Sequence, residues 1–228
     1  MTTPIEELTR RWAAAWTHTR RVLAGEVAGW PLVYVGSASR TTEIVCAEPD
    51  HDTWESLLGQ IAGDRGAMLT LVAHRPEVYV GELPPGVRID RDDETLMLLH
   101  HENVVQPPPR EAEVTGYYVD VEDDGDRVTV RLVREGRVAA EGTVGILGKD
   151  AVYDMVETLP AFRRRGLASA VMTELARAAA DRGTSTGLLA ATTEGAGLYR
   201  SLGWADVAPM RSLMGTAGGP VRRLRVAN

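Results

Sequence analysis

The segment Pro160–Ala168 constrains this chain most, because it places a glycine between a strand-like run and a helical run. It reads Pro-Ala-Phe-Arg-Arg-Arg-Gly-Leu-Ala. A glycine at the start of a helix lets backbone N–H groups approach an anion closely, and the helix dipole favours negative charge there. The neighbouring arginines favour a pyrophosphate over a single carboxylate. A solvated basic helix start explains the same residues without a ligand.

The elements around this segment favour the anion-binding interpretation. Two predicted strands are linked by the turn Glu135–Gly136, and apolar residues recur at helical spacing from Leu167 until Gly183. In chain order we predict strands at 127–134, 137–147 and 151–158, a helix from 167 that ends before 183, a strand at 188–191 and a helix at 194–202. The glycines Gly142, Gly145 and Gly148 lie in or after a strand, so we interpret them as sites of close packing or flexibility.

Two motifs and this element order resemble the GNAT superfamily of N-acetyltransferases over roughly residues 111–215. The motifs are Arg163-x-x-Gly166-x-Ala168 and the run Leu-Tyr-Arg-Ser-Leu-Gly-Trp at 198–204. The resemblance implies an α+β fold of the GNAT-like acyl-CoA N-acyltransferase type, with a mixed, mostly antiparallel sheet flanked by helices. It also implies acetyl-CoA as the acyl donor, no metal, and direct acetyl transfer to a primary amine of a small molecule or amino acid. The alternatives are a non-catalytic acyl-CoA sensor and an enzyme acting on protein N-termini.

The run Gln106-Pro-Pro-Pro-Arg110 predicts a boundary between an N-terminal α/β domain at 1–106 and the GNAT domain at 111–228. In the first part we predict a helix capped by Thr3 that lasts until Gly25, strands at 32–35 and 43–46, a helix opened by Asp52 and Glu55, and strands at 67–73 and 95–99. This order is compatible with a degenerate copy of the same fold. It also resembles the glycine N-acyltransferase-like branch, as does the run at 158–160.

The resemblance assigns the cofactor contacts to two neighbouring segments. The predicted pyrophosphate ligands are the backbone amides of Arg163, Arg164, Arg165, Gly166, Leu167, Ala168 and Ser169. Val156, Glu157 and Thr158 fall on the strand that pairs with the pantetheine arm in the family, and the Val156 amide is the expected oxyanion donor. Thr192 occupies the place of a frequent asparagine. Its hydroxyl is expected to contact the pantetheine arm, although helix capping explains it equally.

Tyr199 occupies the family's place for the tyrosine that protonates the leaving sulfur. The alternative is a tyrosine that serves packing alone. The usual glutamate bases are missing, since the matching positions hold Val152 and Gly187. Asp154 has the same strand parity as Val152 and is our candidate base, whereas the alternation predicts that Glu157 points the other way. A structural role for Asp154, a water chain, or an already neutral amine are the alternatives.

The remaining features exclude several classes of function. Cys46 is the sole cysteine, which rules out an intrachain disulfide and a cysteine-based zinc site. A net charge of −7 argues against a nucleic-acid partner, and we interpret the basic tail at 222–225 as a solvated end. The sequence lacks a membrane-spanning apolar run and a secretory signal, so we expect a cytoplasmic protein without a membrane partner. We interpret His100 and His101 as an exposed polar boundary, with the acceptor pocket as the alternative. A homodimer is compatible with the sequence.

Overall fold

The computed structural model describes residues 3–101 and 115–216. The helices in this part of the chain are α1 (Ile5–Arg20), α2 (His51–Ile61), α3 (Glu77–Val80), α4 (Leu167–Asp181) and α5 (Thr193–Ser201). The strands are β1 (Leu23–Val27), β2 (Trp30–Tyr34), β3 (Thr42–Ala47), β4 (Ala67–Val72), β5 (Val87–His100), β6 (Tyr118–Asp123), β7 (Arg127–Arg134), β8 (Arg137–Leu147), β9 (Asp150–Thr158), β10 (Thr186–Thr192) and β11 (Ala205–Gly215).

Internal contacts divide the chain into two compact units. Unit 1 comprises the described residues within 1–96, 191–193 and 207–228, and unit 2 those within 97–190 and 194–206. The predicted boundary at 106–110 and the basic tail at 222–225 lie outside the described residues. None of the helices within residues 3–101 and 115–216 is long and apolar enough to cross a membrane.

Unit 1 is built on strands in the order β1-β2-β3-β4-β11. The β1–β2, β2–β3 and β4–β11 pairs are antiparallel, whereas β3 and β4 are parallel and are joined through α2. Every residue of β4 is buried, as a strand covered on both faces requires. The apolar face of α2 packs onto this layer with Trp54, Leu57, Leu58 and Ile61 buried.

The helix ends of unit 1 correct three predictions. Pro4, not Thr3, is the N-cap of α1, and no side chain caps that helix. The last residue of α1 is Arg20, and its C-cap Arg21 is left-handed with a φ of 53°. Gly25 therefore lies inside β1 and does not terminate the helix. The N-cap of α2 is Asp50, whose Oδ1 accepts a 2.8 Å hydrogen bond from Thr53 N, in place of the predicted Asp52 and Glu55 pair.

Unit 2 is built on strands in the order β10-β9-β8-β7-β6. The predicted β7–β8 hairpin is confirmed with its bounds, and the following β9 pairs antiparallel with β8 and parallel with β10. The helix α4 packs on β7, β8 and β9. A Cβ atom at Gly142 would lie 2.9 Å from Val171 Cγ1 and 3.1 Å from Leu175 Cδ1. The prediction of close packing is therefore confirmed at Gly142.

The predicted fold class is confirmed: the protein is α+β, with mixed, mostly antiparallel strands flanked by helices. The structure adds strands that we did not predict. These strands are β1, β6 and β11. In addition, β5 is longer than the strand that we predicted at 95–99. The site predicted from the sequence lies at the ends of β9, α4 and α5, so these elements position the candidate active site.

Candidate active site

Gly166 is the N-cap of α4, with φ of 76° and ψ of 5°. Glycine adopts this left-handed conformation without the steric cost that a side chain would bring. The first hydrogen bond of the helix runs from Ala170 N to Gly166 O at 3.1 Å. The N–H groups of Leu167, Ala168 and Ser169 therefore precede the helical ladder, and no side chain caps them. The predicted helix start is confirmed, and its geometry suits an anion.

The arginines before Gly166 differ in how they are held. Arg163 Nε donates to Thr158 O at 3.3 Å, and its Nη1 lies 3.4 Å from Glu194 Oε1. Arg165 Nη2 donates to Ala161 O at 3.2 Å, and its guanidinium lies 5.7 Å from the Phe162 ring centroid.

Arg164 differs from both neighbours. It is exposed, and its φ of 62° is unusual for a residue with a side chain. The segment before α4 therefore combines two positioned cations with a strained backbone, an arrangement that is found at ligand sites.

A β-bulge interrupts β9 beside the predicted site. Thr143 pairs with Asp154 and Glu141 with Glu157, so β9 holds one residue more than β8 over this stretch. Met155 has a φ of 54°, and its N–H donates to Asp154 Oδ1 at 2.9 Å.

This bulge corrects the expected direction of Glu157. Glu141 and Thr143 share a face because they are two residues apart, and paired residues in antiparallel strands also share a face. Glu157 and Asp154 therefore lie on the same face, and the prediction that Glu157 points the other way is wrong.

The bulged segment supplies both backbone and side-chain groups. Met155 and Val156 have no partner residue in the β8–β9 register. Val156 Cγ2 lies 3.1 Å from the position of a Cβ atom at Gly142, so its side chain packs toward α4. Thr158 Oγ1 is buried and has no hydrogen-bond partner among the described residues. An unsatisfied buried hydroxyl at this place is consistent with a missing ligand.

The two parallel strands of unit 2 separate where the bulge begins. The β9–β10 ladder joins Asp150–Val152 to Thr186–Leu188 and ends there, although both strands continue. Beyond this point, the backbone of β9 no longer uses β10 as a partner. In this unpaired stretch, Val156 lies beside Val171 of α4 at the Gly142 position.

Tyr199 lies on α5 and is 9% exposed. Its ring meets the Trp204 ring edge-on, with centroids 6.2 Å apart. Burial raises the pKa of Tyr199, and the negative charge of Asp154 raises it further. Both influences favour the protonated form of Tyr199, which is the form that an acid needs.

Thr192 is the last residue of β10 and is exposed. It is grouped with unit 1, whereas the other predicted site residues belong to unit 2. The next residue, Thr193, donates its hydroxyl to Asp93 O at 3.0 Å, also within unit 1. The role of Thr192 stays a prediction.

His101 is half-buried, which corrects its interpretation as part of an exposed boundary. Its Nε2 lies 3.2 Å from Tyr153 OH, and its Nδ1 lies 2.8 Å from Thr184 Oγ1. Burial lowers the pKa of His101 and raises the pKa of Tyr153. No local pattern in the sequence indicates this cluster, because its members come from separate parts of unit 2.

The same cluster explains why residue 187 is a glycine. A Cβ atom at Gly187 would lie 3.0 Å from His101 Nε2, 3.0 Å from Trp204 Cη2 and 3.2 Å from Tyr153 Cε2. These side chains fill the space that a carboxylate at position 187 would need. Asp154 is therefore the carboxylate that the described residues place near Tyr199.

Comparisons with known proteins agree with this geometry. A family model of the acetyltransferase (GNAT) domain matches residues 116–206. Among solved structures, a GCN5-related N-acetyltransferase from Kribbella flavida is 16% identical, with a TM-score of 0.66, over 92% of this chain and 96% of that chain. No curated protein sequence matches the chain.

Two further solved structures show the same likeness. A GNAT-family protein from Novosphingobium aromaticivorans is 18% identical, with a TM-score of 0.59, over 89% of this chain and 97% of that chain. A GCN5-related N-acetyltransferase from Sphaerobacter thermophilus is 12% identical, with a TM-score of 0.53, over 85% of this chain and 79% of that chain. The chain therefore has the GNAT fold, and residues 116–206 carry the match to the acetyltransferase domain.

Proposed function

We propose that this protein is an N-acetyltransferase that moves the acetyl group of acetyl-CoA directly onto a primary amine of a small molecule or amino acid. The observation that carries the proposal is the start of α4. Gly166 leaves uncapped N–H groups there, beside the point where β9 and β10 separate. Asp154 and Tyr199 interact electrostatically in the same unit, so acid–base groups accompany the anion site.

The residues present fit the cosubstrate. The backbone N–H groups of residues 164–169 would hold its pyrophosphate, aided by the helix dipole and by the arginines before Gly166. The Arg163 N–H, which we also predicted as a ligand, is not among them, because it already donates to Pro160 O at 3.3 Å. Val156, Glu157 and Thr158 would contact the pantetheine arm, and the unsatisfied Thr158 hydroxyl supports that assignment. When bound, acetyl-CoA supplies an acetyl group that is activated as a thioester.

The chain's own residues would manage two protons. Asp154 would accept a proton from the amine, directly or through water, so that the nitrogen attacks in its neutral form. Tyr199 would donate its hydroxyl proton to the leaving sulfur. Because burial and the Asp154 charge raise the pKa of Tyr199, that proton is present at neutral pH.

The backbone of the bulge would stabilise the charge that develops on the thioester oxygen. The Val156 N–H belongs to a residue without a partner in the β8–β9 register. A backbone donor that a bulge holds in a fixed position suits an oxyanion. A covalent acyl-enzyme is disfavoured, because Cys46 is fully buried in unit 1 and burial raises the pKa of its thiol.

We also propose that unit 1 is a degenerate copy of the acetyltransferase fold. Its succession β1-β2-β3-α2-β4, with antiparallel pairs and then a parallel pair, repeats β7-β8-β9-α4-β10 in unit 2. This repetition supports the similarity to the glycine N-acyltransferase-like branch. Unit 1 would then not bind a second acetyl-CoA.

The test is release of free CoA thiol during incubation of the full chain with acetyl-CoA and a panel of amines. We expect amine-dependent release, and Tyr199→Phe should lower kcat by about 100-fold while acetyl-CoA affinity is retained, since proton transfer contributes at least that much. Tyr118→Phe is the control, because Tyr118 lies exposed on β6. Binding without thiol release for every amine would favour the sensor instead.

A further inference from the structure

Unit 1 contains a cavity of about 630 Å³ that the acetyl-transfer chemistry does not use. This volume lies within the range of about 300–1,000 Å³ that is typical of small-molecule sites. Its most conspicuous lining groups are guanidinium groups that come from separate loops and strands. They belong to Arg40, Arg65, Arg88 and Arg91. Such a convergence of cations in one concave site is the usual setting for binding an oxyanion.

The carboxylates near these arginines leave part of the positive charge uncompensated. Arg88 Nη2 lies 2.7 Å from Asp90 Oδ1, and Arg91 Nη1 lies 3.0 Å from Glu94 Oε1. Arg65 is exposed and makes no ion pair or hydrogen bond with any described residue. Arg40 is paired with Glu43. Three of the four arginines therefore have a carboxylate partner, and Arg65 is the one without a partner among the described residues.

A buried network holds Arg40 in place from behind. Arg40 Nη1 lies 2.5 Å from Glu43 Oε2, and the Glu43 side chain is almost fully buried. Thr70 Oγ1 donates to Glu43 Oε1 at 2.7 Å and lies 3.1 Å from Ser212 Oγ. A guanidinium that is fixed in this way loses little side-chain entropy when it binds, so the site is preorganised.

The rest of the lining adds the Asp90 carboxylate, which is paired with Arg88, together with hydroxyl and thioether groups. Ser37, Ser39 and Thr216 supply hydroxyls, and Met68 and Met214 supply adaptable apolar surface. The Met68 sulfur also lies 3.7 Å from Arg40 Nη1. The combination suits a small ligand with an acidic group, polar substituents and a short carbon body.

We propose that this cavity is a binding site for a small organic oxyanion, in which Arg65 and Arg40 contact the acidic group. The site consists of unit 1 residues alone and does not rest on the proposed acetyl transfer. A carboxylate and a phosphate share the required chemistry, so the experiment includes one probe of each kind.

The experiment is isothermal titration calorimetry of the full chain with citrate, with inorganic phosphate and with chloride at matched ionic strength. We expect saturable one-to-one binding of citrate or phosphate and none of chloride. Arg65→Ala should weaken that binding by about tenfold, as expected for loss of one hydrogen bond to a charged group. Arg65 is exposed, so the variant is expected to fold normally.

The control is Arg75→Ala, because Arg75 is an exposed arginine of the same unit that lies outside the cavity lining. It should bind as the parent chain does. Equal losses in the Arg65 and Arg75 variants, or no saturable binding of either probe, would overturn the proposal. Gly166→Asp should retain citrate or phosphate binding. Loss in that variant would assign the anion to the start of α4 and would also refute the cavity.

Discussion

Unit 1 and unit 2 repeat one succession of elements, yet the helices at their centres begin differently. In unit 1, α2 follows Asp50, and the Asp50 carboxylate accepts a hydrogen bond from Thr53 N. In unit 2, α4 follows Gly166, which has no side chain to offer. The Asp50 carboxylate therefore satisfies one of the first donors of α2, whereas no side chain caps the first donors of α4. The negative charge of Asp50 also disfavours an anion at α2.

The parallel strand pairs of the two units also differ, because one ladder covers its strands completely and the other does not. In unit 1, the β3–β4 ladder joins Thr42–Ala47 to Ala67–Val72 along the full length of both strands. In unit 2, the β9–β10 ladder ends at Val152 and Leu188, and a bulge follows in β9. The first ladder runs the full length of its strands, whereas the second leaves the later residues of β9 without a partner in β10. The element order thus specifies the fold, while on our proposal the helix cap and the ladder length decide which unit would bind acetyl-CoA.

The largest expected effect comes from giving α4 the kind of start that α2 has. Gly166→Asp adds a side chain at a φ of 76° and a negative charge beside the predicted pyrophosphate. We expect acetyl-CoA affinity to fall by about 100-fold, or about 2.8 kcal/mol, measured by calorimetry. Gly148→Asp is the matched control, because Gly148 has a φ of 62° in a turn with open space around it. Unchanged acetyl-CoA affinity in the Gly166 variant would contradict the claim that the start of α4, unlike the start of α2, binds the pyrophosphate.

A smaller effect is expected at the bulge. Asp154→Asn removes the proposed base, and we expect kcat/KM for the amine to fall by about tenfold, which is below the usual 10²–10⁴ because water reaches this half-exposed position. Glu157→Gln is the control, because the register puts Glu157 on the same face and the substitution keeps the backbone that would pair with the pantetheine arm. It should change kcat/KM by less than about twofold, within the range of a neutral surface change. If both variants lose activity equally, Asp154 has no special role as the base.

Removing the Asp50 carboxylate tests whether α2 depends on its own N-cap for stability. Asp50→Ala should destabilise the protein by about 1 kcal/mol, since the helix loses its N-cap hydrogen bond. Urea unfolding measures this change, and acetyl-CoA affinity should stay the same. Asp52→Ala serves as the control, because the structure gives the capping contact to Asp50. Greater destabilisation by Asp52→Ala would restore the capping pair that the sequence predicted.

The smallest effect is a pair of opposite pH dependences, one in each unit. Burial raises the pKa of Glu43 in unit 1, so folded Glu43 holds a proton more readily than the unfolded chain, and its contribution to stability declines as pH rises above 4.5. Burial lowers the pKa of His101 in unit 2, so the unfolded chain binds that proton more readily, and stability declines as pH falls below 6.5.

The variants Glu43→Gln and His101→Gln should therefore change the slope of unfolding free energy against pH in opposite directions between pH 4.5 and 6.5. Each change stays below about 1.4 kcal/mol per pH unit, the limit for one proton. Urea titrations at a series of pH values measure both slopes. Slopes that change in the same direction would contradict one of the two assignments.

The sequence was sufficient for the parts of the fold with local signals. The Glu135–Gly136 turn defined the β7–β8 hairpin, and Gly166 with Leu167 defined the start of α4. Strands without such signals were missed. All residues of β6 are exposed, so it lacks a buried face, and β11 contains Pro209, a residue that disfavours strands. Its pairing with β4 is a long-range contact that the local pattern does not reveal.

The candidate site shows the same limit. The sequence predicted Tyr199 and Asp154 as candidates, because the motif and the strand parity are local features. It missed the bulge, because Met155 adopts a φ of 54° without being a glycine. The extra residue reversed the expected face of Glu157. The sequence-based prediction also missed the contacts of His101, because Tyr153 and Thr184 approach this residue only in the folded unit.

The most direct test of the central claim is a two-dimensional ¹⁵N–¹H NMR titration of the full chain with CoA. If the start of α4 binds the pyrophosphate, the largest shifts should fall on the amides of Gly166, Leu167, Ala168 and Ser169, while the amides at 51–53 beside Asp50 stay in place. Largest shifts at 51–53, or no shift at 164–169 on a folded protein, would contradict the account.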